Sequence, residues 1–341
     1  MDNIDINDPK ILEAIQALIA KCGGAPQSFE GELVTQLIQT SLRLMMEGHD
    51  AGQLKLITRS IKEMRYAFRI FNQYKGIRRI SIFGSARTPE DHPDYIAAKK
   101  FSAQIAETGW MCITGAGNGI MKAGLEGPKK ESSFGLSIRL PFETSANSVI
   151  EGDPKLISFR YFFTRKLMFM SHSDAAAVFP GGVGTLDELF EILTLIQTGR
   201  SNIMPLVLVE GEGGIYWKNW DNYVRNHLLK NGWICAEDTN LYHIATDIQD
   251  AVQHVQKFYR RYHSSRYVGD LLVLRLQEPL SAQQVDQLNH QFHRLVESGR
   301  MEMSPALKEE TDHLQLPRLI FRHTRRDFGL LRLLIDQINN F

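Results

Sequence analysis

Residues 174–193 read DAAAVFPGGVGTLDELFEIL. The apolar run through Phe179 fits a buried strand, and Gly181, Gly182 and Gly184 crowd the turn that follows. From Thr185 onward the apolar spacing fits a helix. A strand that ends in glycines and feeds directly into a helix is the repeating unit of parallel α/β sheets. The same unit recurs in both directions along the chain. Upstream, RRISIFGSA (78–86), WMCITGAGNG (110–119) and SFGLSIRLP (133–141) read as strands. The segments 94–109, 120–130 and 162–173 read as helices between them. Downstream, MPLVLVEG (204–211) and LYHIAT (241–246) alternate with helical segments at 214–232 and 247–263. Strands that are continuous apolar runs imply a sheet covered on both faces. A Rossmann-like doubly wound parallel sheet is therefore expected over residues 77–262, with ligands at the carboxyl ends of its strands.

The flanks differ in pattern. Residues 1–76 show only helical periodicity, in segments 7–24, 28–48 and 54–74. Beyond residue 263 the chain reads as a small α/β appendage, 263–341. There RYVGDLLVLRLQEP (266–279) reads as one strand, LPRLIFRH (316–323) as another, and 281–299 and 326–341 as helices.

Composition narrows the function. With 39 basic and 39 acidic residues the formal charge is zero, so no global field favours nucleic acid. Cys22, Cys112 and Cys235 lie far apart without zinc-ligand spacing. Cys112, inside WMCIT, reads as a packing residue. The opening MDNIDINDPK is acidic and polar, unlike a signal or transit peptide, and no apolar stretch reaches the ~20 residues of a membrane span. A soluble, cytoplasmic protein is expected, acting without nucleic acid or membrane.

Three strand ends carry glycine: Gly84 with Ser85, Gly115 with Gly117, and Gly181, Gly182 and Gly184 with Thr185. A dinucleotide fingerprint G-x-G-x-x-G fails at the second, because Ile120 stands in the last glycine's place. A P-loop fails at the third, because no lysine precedes Thr185. The reading that survives is a general anion site, made of backbone N–H groups entering a helix, with Thr185 as helix cap or phosphate donor. A tight turn with a threonine cap is the plain alternative. Glu188 falls on the same helix face as Thr185, whereas Asp187 points away and Glu191 lies a turn further on. Arg165 and Lys166 form a basic pair in the preceding helix; arginine suits bidentate contact with phosphate. His172 and Asp174 lack metal partners at ligand spacing and read as hydrogen-bonded structural residues.

PGGVGTLDE (180–188), with Arg165-Lys166, HSDA (172–175), FGSAR (83–87) and GAGNGIM (115–121), resembles the LONELY GUY family, long described as lysine decarboxylases. The resemblance covers roughly residues 77–262. Phe169 stands where that family often has methionine, and Ala116 where glycine is usual; these departures bear on the base pocket and the phosphate approach. The long flanks make the chain similar to extended bacterial nucleotide nucleosidases. The resemblance implies hydrolysis of the N-glycosidic bond of a nucleoside 5′-monophosphate to base and ribose 5-phosphate, by Glu188 and Arg165. Gly84, Ser85, Gly115, Gly117, Gly181, Gly182, Gly184, Thr185 and Lys166 would hold the nucleotide. It implies no metal or organic cofactor and a homodimer or higher homo-oligomer. A non-catalytic nucleotide-binding or sensing protein is the alternative, and a Rossmann-like carrier or oxidoreductase a weaker one.

Overall fold

The computed structural model describes residues 6–139 and 146–341, so Leu140 and Pro141 at the end of SFGLSIRLP lie outside the described residues. The chain divides into two compact units, Met1–Arg65 and Tyr66–Phe341. The first unit holds α1 (Pro9–Lys21), α2 (Phe29–Met46) and most of α3 (Ala51–Phe71). Asp8 caps α1 by accepting the Lys10 N–H, and Ser28 caps α2 by accepting from Gly31. Each cap satisfies a donor that the first helical turn leaves unpaired.

The second unit begins inside α3. In chain order it continues β1 (Arg79–Phe83), α4 (Pro93–Glu107), β2 (Met111–Thr114), α5 (Ile120–Glu126), β3 (Ser133–Ile138), β4 (Leu156–Phe159) and α6 (Phe162–His172). Then come β5 (Ala175–Val178), α7 (Val183–Gln197), β6 (Leu206–Leu208), α8 (Tyr216–Tyr223), β7 (His243–Ile244) and α9 (Ile248–Phe258). These strands form one parallel sheet in the order β4-β3-β2-β1-β5-β6-β7. The order reverses between β1 and β5, so the loops after those two strands leave in opposite directions and open a crevice between them. One face is packed by α4, α5 and α9, with Phe101, Ile105, Ile120 and Val255 against Ile80, Ile82 and Ala177. On the other face Phe169 of α6 meets Phe83, and Phe71 of α3 stacks on Phe134. Cys112 is fully buried in β2, as its apolar surroundings lead one to expect.

Several features depart from the sequence reading. The edge strand β4 is absent from it, because four residues, with only Ile157 and Phe159 buried, carry too little periodicity just before a helix. The segment read as one strand at 266–279 is a hairpin. It consists of β8 (Tyr262–Val268) and β9 (Leu271–Leu276), turning at Gly269, whose φ of 56° suits glycine.

After this hairpin come α10 (Ala282–Gln291), β10 (Glu302–Ser304), β11 (Arg318–Arg322) and α11 (Phe328–Asn340), and the strands make an antiparallel sheet β10-β11-β9-β8. A buried charge cluster pins it. Glu310 accepts from Arg275 Nη2 at 2.7 Å and from Arg318 Nε at 3.0 Å, and Arg318 also donates to the Leu316 carbonyl. Burial alone would raise the Glu310 pKa, but hydrogen bonds from Arg318 and Arg275 outweigh it and hold the carboxyl at about 2. Among the described residues no helix is long and apolar enough to cross a membrane.

Glu310→Gln leaves two buried guanidiniums without their shared counter-charge and is expected to cost about 3 kcal/mol, the usual scale for breaking a buried pair. Denaturant unfolding measures it. The wild-type advantage is present above the unfolded carboxyl pKa and fades as pH falls toward 2, because the folded pKa is depressed.

Candidate active site

Three loops meet over the β1/β5 crevice, and the backbone of Ser85 joins them. Its N–H donates to the Pro180 carbonyl at 3.1 Å, and its own carbonyl accepts the Ile120 N–H at 3.0 Å. Glycine is required at the points of closest approach. A Cβ on Gly84 would lie 2.6 Å from Ile120 Cγ2, and one on Gly119 (φ 59°) would strike the Ser85 carbonyl. Gly115 faces the Arg165 guanidinium and the Met121 sulfur so closely that no side chain fits between them. Asn147, which the sequence reading did not single out, fastens the second loop by donating to the Gly117 carbonyl at 2.8 Å.

These loops wall a cavity of about 1110 Å³. Gly84, Ser85, Gly115, Gly117, Gly182, Gly184, Thr185, Arg165 and Glu188 all line it, together with Arg87, Arg139 and Glu151. Gly181 sits just behind the wall, its α-carbon facing Thr185 Oγ1 and the Ser85 nitrogen. Lys166 does not line the cavity. It turns toward α7, where its ammonium lies 2.7 Å from Asp187, 2.7 Å from Glu191 and 4.0 Å from Glu188. Thr185 is not a helix cap either: Gly182 holds the cap position of α7, and Thr185 is buried in the first turn. Among the described residues no acceptor is paired with the N–H groups of Gly182, Val183 and Gly184. Three adjacent amides thus stand at the positive end of a fifteen-residue helix, an arrangement chemically suited to an anion.

Arg165 Nε donates to the Leu136 carbonyl at 2.7 Å, and its guanidinium lies 5.2 Å over the Phe169 ring. Phe169 is buried beneath the arginine and against Phe83 and does not line the cavity, so it acts as a platform for Arg165. Ala116 adopts the left-handed backbone, φ 63°, which costs a non-glycine residue on the order of 1 kcal/mol. Its buried methyl group packs in a cluster with Leu125 and Ile150.

Glu188 is the most perturbed carboxyl in the cavity wall. Its side chain is 13% exposed, against 59% for Asp187. Burial pushes its pKa up to about 7, against the opposing pull of Lys166 and Arg165, while Glu191 and Asp187 add to the rise. Lys166 is held above its ordinary value: burial lowers it, and hydrogen bonds to Asp187 and Glu191 more than offset this. His172 and Asp174 lie away from the cavity. Asp174 accepts the Arg79 N–H at 2.9 Å, and His172 stacks on Phe71, where burial and Arg79 lower its pKa to about 4. Tyr216, outside every sequence motif, donates from Oη to the Gly181 carbonyl at 2.7 Å.

A glycine turn with open amides and a largely enclosed carboxyl, at the switch point of a doubly wound sheet, define a Rossmann-like α/β protein with a candidate ligand site. Within that class, residues 115–255 match the family model described as possible lysine decarboxylase. The chain is 28% identical over 180 residues to the probable cytokinin riboside 5′-monophosphate phosphoribohydrolase LOG4 of Oryza sativa subsp. japonica, covering 50% of this chain and 72% of the relative. It is also 28% identical over 160 residues to the cytokinin riboside 5′-monophosphate phosphoribohydrolase of Mycobacterium tuberculosis, covering 46% and 82%. Among solved structures, the molybdenum cofactor binding protein of Rippkaea orientalis aligns at a TM-score of 0.39 with 18% identity, over 53% of this chain and 97% of that one. The molybdenum cofactor carrier protein of Chlamydomonas reinhardtii aligns at 0.38 with 20% identity, over 53% and 97%.

Because the folded pKa of Glu188 lies above the unfolded one, its ionisation costs stability as pH rises from about 4.5 through 7. Glu188→Gln should therefore stabilise the fold by about 2–3 kcal/mol at pH 8 and by little at pH 4.5. Thermal or denaturant unfolding at the two pH values checks the difference.

Proposed function

We propose that the protein hydrolyses the N-glycosidic bond of nucleoside 5′-monophosphates, yielding free base and ribose 5-phosphate. The observation that carries this reading is the placement of Glu188. It is a largely enclosed carboxyl with a pKa near neutrality, one helical turn from three amides that lack acceptors among the described residues, in the cavity that Arg165 also lines. The two cytokinin riboside 5′-monophosphate phosphoribohydrolases that the chain resembles bear names of the same reaction class.

The amide turn and Thr185 take the 5′-phosphate and so fix the sugar over Glu188. The C1′–N bond breaks with its electron pair going to the base, and the anomeric carbon gains positive charge that the carboxylate stabilises. The oxygen of water then bonds to C1′. One of its protons passes by way of Glu188 to the departing base nitrogen, and the other remains on the new hydroxyl. A carboxyl with a pKa near 7 suits both halves of that transfer. Arg165, rigid on its Leu136 and Phe169 supports, offsets the charge of the phosphate and carboxylate. Decarboxylation of lysine fits these residues poorly. A Schiff-base lysine needs a depressed pKa, and Lys166 is held in its charged form by carboxylates on α7, outside the cavity wall.

Incubation with AMP, GMP, CMP, UMP and an N6-modified AMP should release base and ribose 5-phosphate in equal amounts, while nucleosides lacking the phosphate react poorly. Glu188→Gln and Arg165→Ala are each expected to lower kcat by about 10²–10³-fold or more, the scale for losing a transition-state charge partner. kcat/KM should rise with pH through an apparent pKa near 7 as Glu188 ionises. Binding of monophosphates with no base release would favour the sensing alternative.

A further inference from the structure

We propose that Tyr216 is a positioning residue for the anion-binding turn, holding the Gly182 amide toward the cavity through the Gly181 carbonyl. This rests on the functional reading above and concerns a residue that does not itself line the cavity.

A trans peptide carries its C=O and N–H on opposite sides, so fixing one aims the other. The described residues contain no cis peptide bond. In the loop PGGVGT two successive carbonyls are tethered by other segments of the chain. The Pro180 carbonyl accepts the Ser85 N–H at 3.1 Å, and the Gly181 carbonyl accepts the Tyr216 hydroxyl at 2.7 Å. The N–H groups in those same two peptides belong to Gly181 and Gly182, and both are turned the other way. Gly182 lies in the cavity wall, and its N–H is one of the three without an acceptor among the described residues.

Flanking glycines make such a tether necessary. The tethered peptide joins Gly181 to Gly182: a Cβ added to Gly182 would meet nothing within 4 Å, so on that side no packing resists rotation of the peptide, whereas Gly181 lies close against Thr185 and Ser85. With the tether cut, that peptide is free to flip and present a carbonyl to the phosphate in place of an N–H.

Tyr216 itself is firmly seated. Its N–H donates to Glu210 Oε2 at 2.8 Å, and its ring packs edge-on against Trp217 at 4.8 Å. Trp217 is fully buried and donates from Nε1 to the Val209 carbonyl at 3.0 Å. Val209 directly follows β6, so the hydroxyl is referenced to the sheet and not to the loop it holds.

The test is Tyr216→Phe, which keeps the ring and removes only the hydroxyl. Two readouts are needed: steady-state kinetics on the best monophosphate, and calorimetric binding of ribose 5-phosphate. Losing one oriented hydrogen bond is expected to weaken ribose 5-phosphate binding and raise KM together by about tenfold. kcat should fall less, because Glu188 and Arg165 are untouched. Glu210→Gln, which keeps an acceptor for the Tyr216 N–H, should change both values by less than Tyr216→Phe does. Unfolding temperatures of both variants should stay near wild type. If wild type binds ribose 5-phosphate and Tyr216→Phe binds it equally well, the positioning role is overturned while the functional reading stands. If wild type neither binds ribose 5-phosphate nor releases base, both fall together.

Discussion

The backbone of one residue, Ser85, holds the site in register. Its N–H and its carbonyl connect the loop after β1 to the loops after β5 and β2, the three places where a strand gives way to glycine. None of these loops has regular structure of its own, and strands at a switch point diverge. Without cross-links the crevice would be lined by independent turns with unpaired polar groups, which burial penalises. The glycines at 84 and 119 follow from this contact, since the chains approach too closely for a Cβ. Gly115 serves the same geometry one step further out, leaving room for Arg165 to lie across the second loop.

Charge in the site is set by a contest between burial and counter-ions. Glu188 is desolvated strongly enough that neighbouring cations do not restore an ordinary carboxylate pKa. Lys166 could have neutralised it, yet Asp187 and Glu191 compete for that ammonium at shorter range. The result is a carboxyl near the midpoint of its titration at neutral pH. Such a group costs stability and is the kind of group a proton-transfer step requires.

The two departures from the family pattern are readable only in three dimensions. Phe169 lies under Arg165 as a flat, electron-rich support, a role that the face of an aromatic ring serves. Ala116 tolerates a left-handed backbone because its methyl group is packed with Leu125 and Ile150, so burial offsets local strain.

The alternation of apolar runs with helical periods determined the parallel sheet from the sequence alone, and the glycines at the strand ends marked the loops that wall the cavity. Those signals are local, and the physics behind them is local too: burial of continuous strands, and backbone angles open to glycine. Helical spacing also separated Glu188 from Asp187 in exposure, 13% against 59%, although Asp187, read as pointing away, lines the cavity too. Tertiary structure alone decided that Lys166 faces α7 and that Thr185 lies inside the first turn, not at its cap. It also decided that β8 and β9 form a hairpin, and that Tyr216, some thirty residues beyond the glycine loop, reaches back to hold it. Each of these depends on a partner brought close by the sheet from a distant part of the chain, and no periodicity within a segment encodes the identity of such a partner.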